Sequence, residues 1–179
     1  SYGVRSSALP AWQIPAHIRE RVEWVLALSG DNPARFASNH RRNINKAHKL
    51  GVTATLTSDP VAIDAHRRLM AASMQRRLRR GESVPTIEEH DTRHERALLA
   101  TGAARLHQAV YQNRVLSSLL VLDAPAGAYY QSAGTTPEGM ESGASTFLVS
   151  EVIRKLTEEG RIVFNLVGAG PKSERLQRF

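Results

Sequence analysis

The amino-acid sequence predicts an α+β domain in which helices flank a mixed, mostly antiparallel central sheet. Two observations predict it. From Leu106 the period changes to two, with Leu106, Ala109 and Tyr111 leading into the turn Gln112-Asn113-Arg114, Val115 to Leu122 returns as a fully apolar strand, and Asp123-Ala124-Pro125-Ala126-Gly127 is a second turn before a third strand. A helix-spaced segment, with Phe147, Leu148, Val152, Ile153 and Leu156 facing inward, then separates the third strand from a fourth over Arg161 to Val167. From residue 103 the order is hairpin, third strand, helix, fourth strand, which differs from the regular alternation of a dinucleotide-binding sheet and disfavours such a site.

Local signals place the remaining elements. Pro15 at a first-turn position, the helical spacing of Ile18, Val22, Val25 and Leu26, and the stop Ser29-Gly30-Asp31 predict a helix over 15–29. A second helix is predicted from Pro33 to Leu50, closed by Gly51, and the β-branched stretch Val52 to Thr57 is predicted as a strand. Ser58-Asp59-Pro60 opens a third helix with Ile63, Leu69, Met70 and Met74 along one side and an arginine-rich tail ending at Gly81. Thr86 to Thr101 is predicted as a fourth helix, Ala128 to Ala133 as the third strand of the sheet, and Gly134 to Gly143 as a polar loop. Residues 1–32 are expected to form a helical lead and 33–179 a single domain.

A chain of 179 residues with 41% hydrophobic residues supports one substantial core. It has no cysteine, which excludes disulfides, thiolate metal sites and a cysteine nucleophile, and suits a cytoplasmic location. Apolar runs such as Leu119 to Leu122 fall far short of the roughly 20 residues that span a bilayer, so membrane insertion is not expected. The 24 lysines and arginines outnumber the 17 acidic residues, and the net charge of +7 predicts attraction to polyanions such as nucleotide phosphates and tRNA. Because the first residue is Ser1, the sequence is expected to be a fragment or a processed chain.

Glu138-Gly139-Met140-Glu141-Ser142-Gly143-Ala144 leads into a helix opening near Ser145. Small residues there let backbone N–H groups approach a ligand, and a helix start favours an anion, so the segment is a candidate phosphate cradle. An ordinary loop and N-cap has the same composition and is the plainer interpretation of the local sequence. Arg42, Lys46 and Lys49 stand at i, i+4 and i+7, either a phosphate-binding face or a solvated basic one. His90 and His94 are four apart on a predicted helix, but Asp91 occupies the place where a zinc protease has glutamate and no third ligand is evident, so no metal is expected. A serine hydrolase is equally disfavoured, because no Gly-x-Ser-x-Gly elbow occurs.

The segments Arg41-Arg42-Asn43-Ile44-Asn45-Lys46-Ala47-His48-Lys49-Leu50-Gly51-Val52, Tyr129-Tyr130-Gln131-Ser132-Ala133-Gly134-Thr135 and Phe164-Asn165-Leu166-Val167-Gly168-Ala169, with Leu176-Gln177-Arg178-Phe179 after them, resemble in this order a basic helix, a tyrosine-bearing strand and the closing strand of the GNAT superfamily. Within that superfamily they are most similar to its FemAB-like and BioF2-like acyltransferases, over most of residues 35–179. Two departures accompany the resemblance. Met140-Glu141-Ser142-Gly143-Ala144-Ser145 lacks the leading polar residue of the Gln/Arg-x-x-Gly-x-Gly/Ala loop of acetyl-coenzyme A enzymes. The sequence also stops at Phe179, before the lysine of the family's ending, so the domain is expected to be truncated at its C-terminus.

The resemblance implies an N-acyltransferase in which an amine attacks an activated acyl carbonyl, with acyl-CoA as co-substrate slightly favoured over aminoacyl-tRNA and no metal involved. Such a reaction needs positioning, a hydrogen-bond donor to the developing oxyanion and a proton acceptor. The same resemblance implies Tyr130 and Asn165 as the polar side chains nearest the reacting atoms, with a sheet-facing hydrogen bond as the alternative role of each. It implies backbone N–H groups from Ser132 to Gly134 as the oxyanion contact and Gly143, Ala144 and Ser145 as the donor cradle. Arg42, Lys46 and Lys49 would then meet the phosphate of a nucleotide-linked acceptor or of tRNA. The competing class is a non-catalytic polyanion- or RNA-binding domain on the same fold, since fold alone does not guarantee turnover.

Overall fold

A computed structural model of the chain describes residues 23–28, 36–84 and 91–166. In chain order these form β1 (Val25–Ala27), α1 (Ser38–Leu50), β2 (Thr53–Thr57), α2 (Pro60–Arg79), α3 (Arg93–Ala100), β3 (Ala104–Tyr111), β4 (Arg114–Asp123), β5 (Gly127–Thr135), α4 (Pro137–Ser142), α5 (Ala144–Glu158) and β6 (Val163–Asn165). The six strands make one sheet in the spatial order β1-β6-β5-β4-β3-β2. Neighbours run antiparallel except β5 and β6, whose parallel pairing requires the crossover that α4 and α5 supply.

The hairpin β3–β4 turns on Gln112 and Asn113, both left-handed at φ 47° and 60°, a two-residue turn whose twist matches that of the strands it joins. α2 starts where Asp59 accepts a hydrogen bond from Val61 N at 2.9 Å, with Pro60 in the first turn, where its missing N–H is not needed. The two faces of the sheet carry separate clusters. On one face Leu119, Val121, Ala128 and Phe164 pack against Ala47 of α1 and Phe147, Leu148, Val152 and Leu156 of α5. On the other, Leu106 and Leu120 pack against Ile63 of α2 and Leu98 and Leu99 of α3. The mixed, mostly antiparallel sheet flanked by helices matches the fold class expected from the hydrophobic periods.

Several elements differ from the local signals. Val25–Ala27, expected inside a helical lead, is a strand paired with Asn165, Phe164 and Val163. Its apolar run is too short for periodicity to separate strand from helix, and the sheet edge decides. α1 and α3 begin later than expected, at Ser38 and Arg93, and Gly134 to Gly143 is not a simple loop. Gly134 and Thr135 complete β5, and Thr136 accepts a hydrogen bond from Gly139 N at 2.9 Å to start the six-residue α4, a capping pattern that the three glycines in the segment obscured. Most of the helix expected over 15–29, the start of the one expected at Pro33, His90, and the motif from Val167 to Phe179 lie outside the described residues.

Candidate active site

The parallel pairing of β5 with β6 is short: Gly127, Ala128 and Tyr129 face Val163, Phe164 and Asn165. Beyond this point Leu166 N donates to Trp24 O at 2.7 Å, the next rung of the β1–β6 ladder, and the edge of β5 from Tyr130 to Thr135 has no strand partner among the described residues. Among the described residues the pairing of the two central strands ends at Tyr129 and Asn165. On its other edge β5 is irregular. Ser132 pairs with Leu120 and Tyr130 with Val121, which makes Gln131 an extra residue. Such a bulge re-aims the side chains on either side of it. Tyr130 packs on the α1/α5 face while Ser132 meets α2, although regular alternation would put both on one face.

Tyr130 is half-buried against the larger cluster, and burial pushes its phenol up to about 12, so it carries its proton at neutral pH. Asn165 shares a register position with Tyr129, and Phe164 beside it belongs to the cluster that Tyr130 packs on, so alternation sets Asn165 and Tyr130 on opposite faces. Asn165 Nδ2 donates to Glu23 Oε2 at 2.7 Å. Ser132 Oγ lies 3.0 Å from His66 Nε2. Gly134 is buried where α2 crosses, and a Cβ there would stand 2.3 Å from Leu69 C and 2.4 Å from Met70 N.

Gly143 closes α4 and opens α5 with φ 78°, and a Cβ on it would stand 2.4 Å from the Asn43 carbonyl oxygen of α1. The glycine therefore serves the approach of two helices. Ala144 is fully buried and Ser145 half-buried, and the start of α5 has no side-chain cap. Arg42 and Lys49 are exposed on α1, whereas Lys46 Nζ donates to Glu141 O at 2.6 Å and ties α1 to α4. Lys46 also lines a cleft of about 220 Å³ with Tyr111, Leu116 and Glu138. A second cleft of about 280 Å³ lies between α1 and α5, lined by Phe36, Arg41, Ile44, His48, Glu151 and Arg154 among others.

The structure thus places Tyr130 and Asn165 at the end of the β5–β6 pairing on opposite faces and Ser132 and Gly134 further along β5 beneath α2, and gathers Gly143, Ala144, Ser145 and Lys46 where α1 meets the α4–α5 junction. One member was not legible in the sequence. His66 is fully buried in α2 and bridges Ser118 and Ser132, which are 52 and 66 residues away, and no local pattern links them.

An antiparallel hairpin sheet whose last, parallel pair parts beside a bulge, with a helix following the bulged strand, defines an acyltransferase-like α+β domain. The family model of the acetyltransferase (GNAT) domain matches residues 34–175, and the chain belongs to that family of acyltransferases. No curated protein sequence matches the chain. Among solved structures it is similar to FemX, with a TM-score of 0.68 and 14% identity over 88% of this chain and 56% of that one. It is also similar to the C-terminal domain of a putative lysylphosphatidylglycerol synthetase from Agrobacterium fabrum, with a TM-score of 0.54 and 11% identity over 82% and 46% of the two chains. An aminoglycoside acetyltransferase from an uncultured soil metagenomic sample, in complex with sisomicin, has a TM-score of 0.51 and 19% identity over 70% and 82%. The chain spans about half the length of the first two of these structures. No helix among the described residues is long and apolar enough to cross a membrane.

Proposed function

We propose that the chain moves an acyl group from an activated donor to an amine by direct attack, with an acyl-CoA thioester slightly favoured as donor and an aminoacyl-tRNA ester next. The observation that carries this is the end of the β5–β6 pairing beside the Gln131 bulge, past which the β5 edge has no strand partner among the described residues. Backbone N–H groups on such an edge are fixed before any substrate arrives, which is what stabilising a developing oxyanion requires. Tyr130 adjoins that edge, and a phenol that keeps its proton suits donation to the departing group rather than abstraction from the amine. Ser145, half-buried in the first turn of α5, is assigned to the phosphates of a nucleotide-linked donor. Asn165, held by Glu23 on the opposite face, is assigned to positioning the β6 end of the gap.

An acetyltransferase with an aminoglycoside acceptor shares the fold, which supports an amine as acceptor here. The exposed Arg42 and Lys49 favour a phosphate-bearing acceptor or a tRNA donor as the second reading. The test is transfer to a panel of amines from acyl-CoA and, separately, from charged tRNA. Acyl-CoA-dependent acylation of an amine is the expected result. RNA binding with no transfer from either donor would make this a non-catalytic polyanion-binding domain instead.

A further inference from the structure

His66 is fully buried between α2 and the sheet, with Nδ1 2.9 Å from Ser118 Oγ in β4 and Nε2 3.0 Å from Ser132 Oγ in β5. Its position is fixed by the approach of α2 to Gly134, where no side chain fits between helix and strand. Burial, with the charge of Arg67 second, pushes this imidazole down to about 4. The ring is therefore neutral near pH 7, with one nitrogen donating and the other accepting.

Ser118 decides which. Its hydroxyl is fully buried, and its hydrogen-bond partner among the described residues is His66. If Nδ1 carried the hydrogen, Ser118 would accept and its own O–H would be left in the core without an acceptor among the described residues, which is costly. If Ser118 donates to Nδ1, only a hydroxyl lone pair goes unused. The ring hydrogen then sits on Nε2 and donates to Ser132 Oγ. Ser132 is left with its own O–H to donate away from the ring, and it is the half-buried residue next to the bulge on the strand with the open edge.

We propose that Ser118, His66 and Ser132 form a relay that fixes the Ser132 hydroxyl as a hydrogen-bond donor to the acyl carbonyl oxygen as that oxygen gains charge. The proposal rests on the acyl-transfer reading. Ser132 is the group that would touch the reacting atoms, and His66 and Ser118 are positioning residues acting through it. No proton leaves the relay during the reaction. The hydroxyl only shares its hydrogen, and a donor of this kind acts without a charged group in the core.

The test has two arms on the full chain. Nitrogen-15 NMR of histidine-labelled protein, with the His66 signals assigned by their loss in His66→Gln, is expected to find the Nε2–H tautomer. An Nδ1–H ring in a protein that transfers acyl groups overturns the relay alone. In the kinetic arm, Ser132→Ala is expected to lower kcat about 100-fold, the effect typical of removing one oxyanion donor, with little change in KM for the acyl donor. Ser118→Ala gives a smaller fall in kcat. His66→Gln, whose amide can still donate to Ser132, is expected to keep more of kcat than His66→Ala. Folded Ser132→Ala protein with unchanged kcat overturns the proposal. If the wild-type chain transfers from no donor, the acyl-transfer reading fails and takes the proposal with it.

Discussion

His66 and His107 are both buried and both held at about 4, by burial first and then by Arg67 at His66 and by Arg105 and Lys155 at His107. Glu159 and Asp123 oppose the shift at His107 without overcoming it. In the unfolded chain each imidazole returns to about 6.5. Below that pH the unfolded chain binds protons that the folded one refuses, so stability falls as pH drops from about 6.5 to about 4. Above this window neither group contributes. Each shift corresponds to something on the order of 3 kcal/mol, enough to matter against a typical total of about 5–15 kcal/mol. Urea denaturation midpoints are therefore expected to fall steadily from pH 7 to pH 4.5, and His107→Gln to flatten that slope. A midpoint independent of pH over the same range would contradict the burial of neutral rings. Tyr130 makes an opposite kind of prediction. Because its phenol lies near 12, Tyr130→Phe is expected to lower kcat by about 100-fold uniformly between pH 7 and pH 9. An alkaline decline of the wild-type rate near pH 9 that vanishes in Tyr130→Phe would exclude this role.

At the scale of elements, two glycines hold helices against the sheet and against each other. A methyl at Gly134 would enter the α2 backbone at Leu69 and Met70, which cannot rotate out of the way, so Gly134→Ala must lift α2 from β5 and is expected to destabilise by about 3 kcal/mol or more. Gly143→Ala combines a left-handed φ of 78° with the Asn43 carbonyl 2.4 Å away. Gly160 shares the left-handed conformation at φ 75° but opens onto empty space, so Gly160→Ala should cost only the backbone strain, about 1–2 kcal/mol. Thermal melts of the three variants separate the terms. Equal losses at Gly143 and Gly160 would mean that α1 does not press on the α4–α5 junction. The hairpin and β5 were legible in the sequence because turn residues bound each strand, and α5 because it repeats the helical period over 15 residues. β1 and α4 were not, being three and six residues long, with no room for a period to declare itself. The bulge escaped notice for a different reason: Gln131 is extra only relative to β4, and register is a property of two strands.

Across the whole molecule the same limit applies to the site. The sequence order placed Tyr130, Ser132 and Gly134 on one strand, but which face each takes, and that His66 waits beneath Ser132, depend on the bulge and on a helix packed from a different part of the chain. The net charge of +7 is likewise legible as a total and not as a field. Arg105, Arg114, Arg154 and Arg161 are each paired with carboxylates that the total has already subtracted, and Lys46 is bound to the Glu141 carbonyl, so these cations are engaged within the fold. Arg42 and Lys49 remain exposed on α1 with no ion pair among the described residues. If they meet phosphates of a tRNA donor, each contact releases condensed counterions, and affinity depends on salt accordingly. Replacing both with glutamine is then expected to reduce the slope of log affinity against log salt by about 2, at roughly 0.9 per phosphate. Acyl-CoA transfer at saturating donor should be unaffected, because the β5–β6 separation does not involve these side chains. An unchanged salt slope for RNA in the double variant would show that α1 presents a solvated basic face, and a loss of acyl-CoA turnover would instead move the acceptor's phosphate onto it.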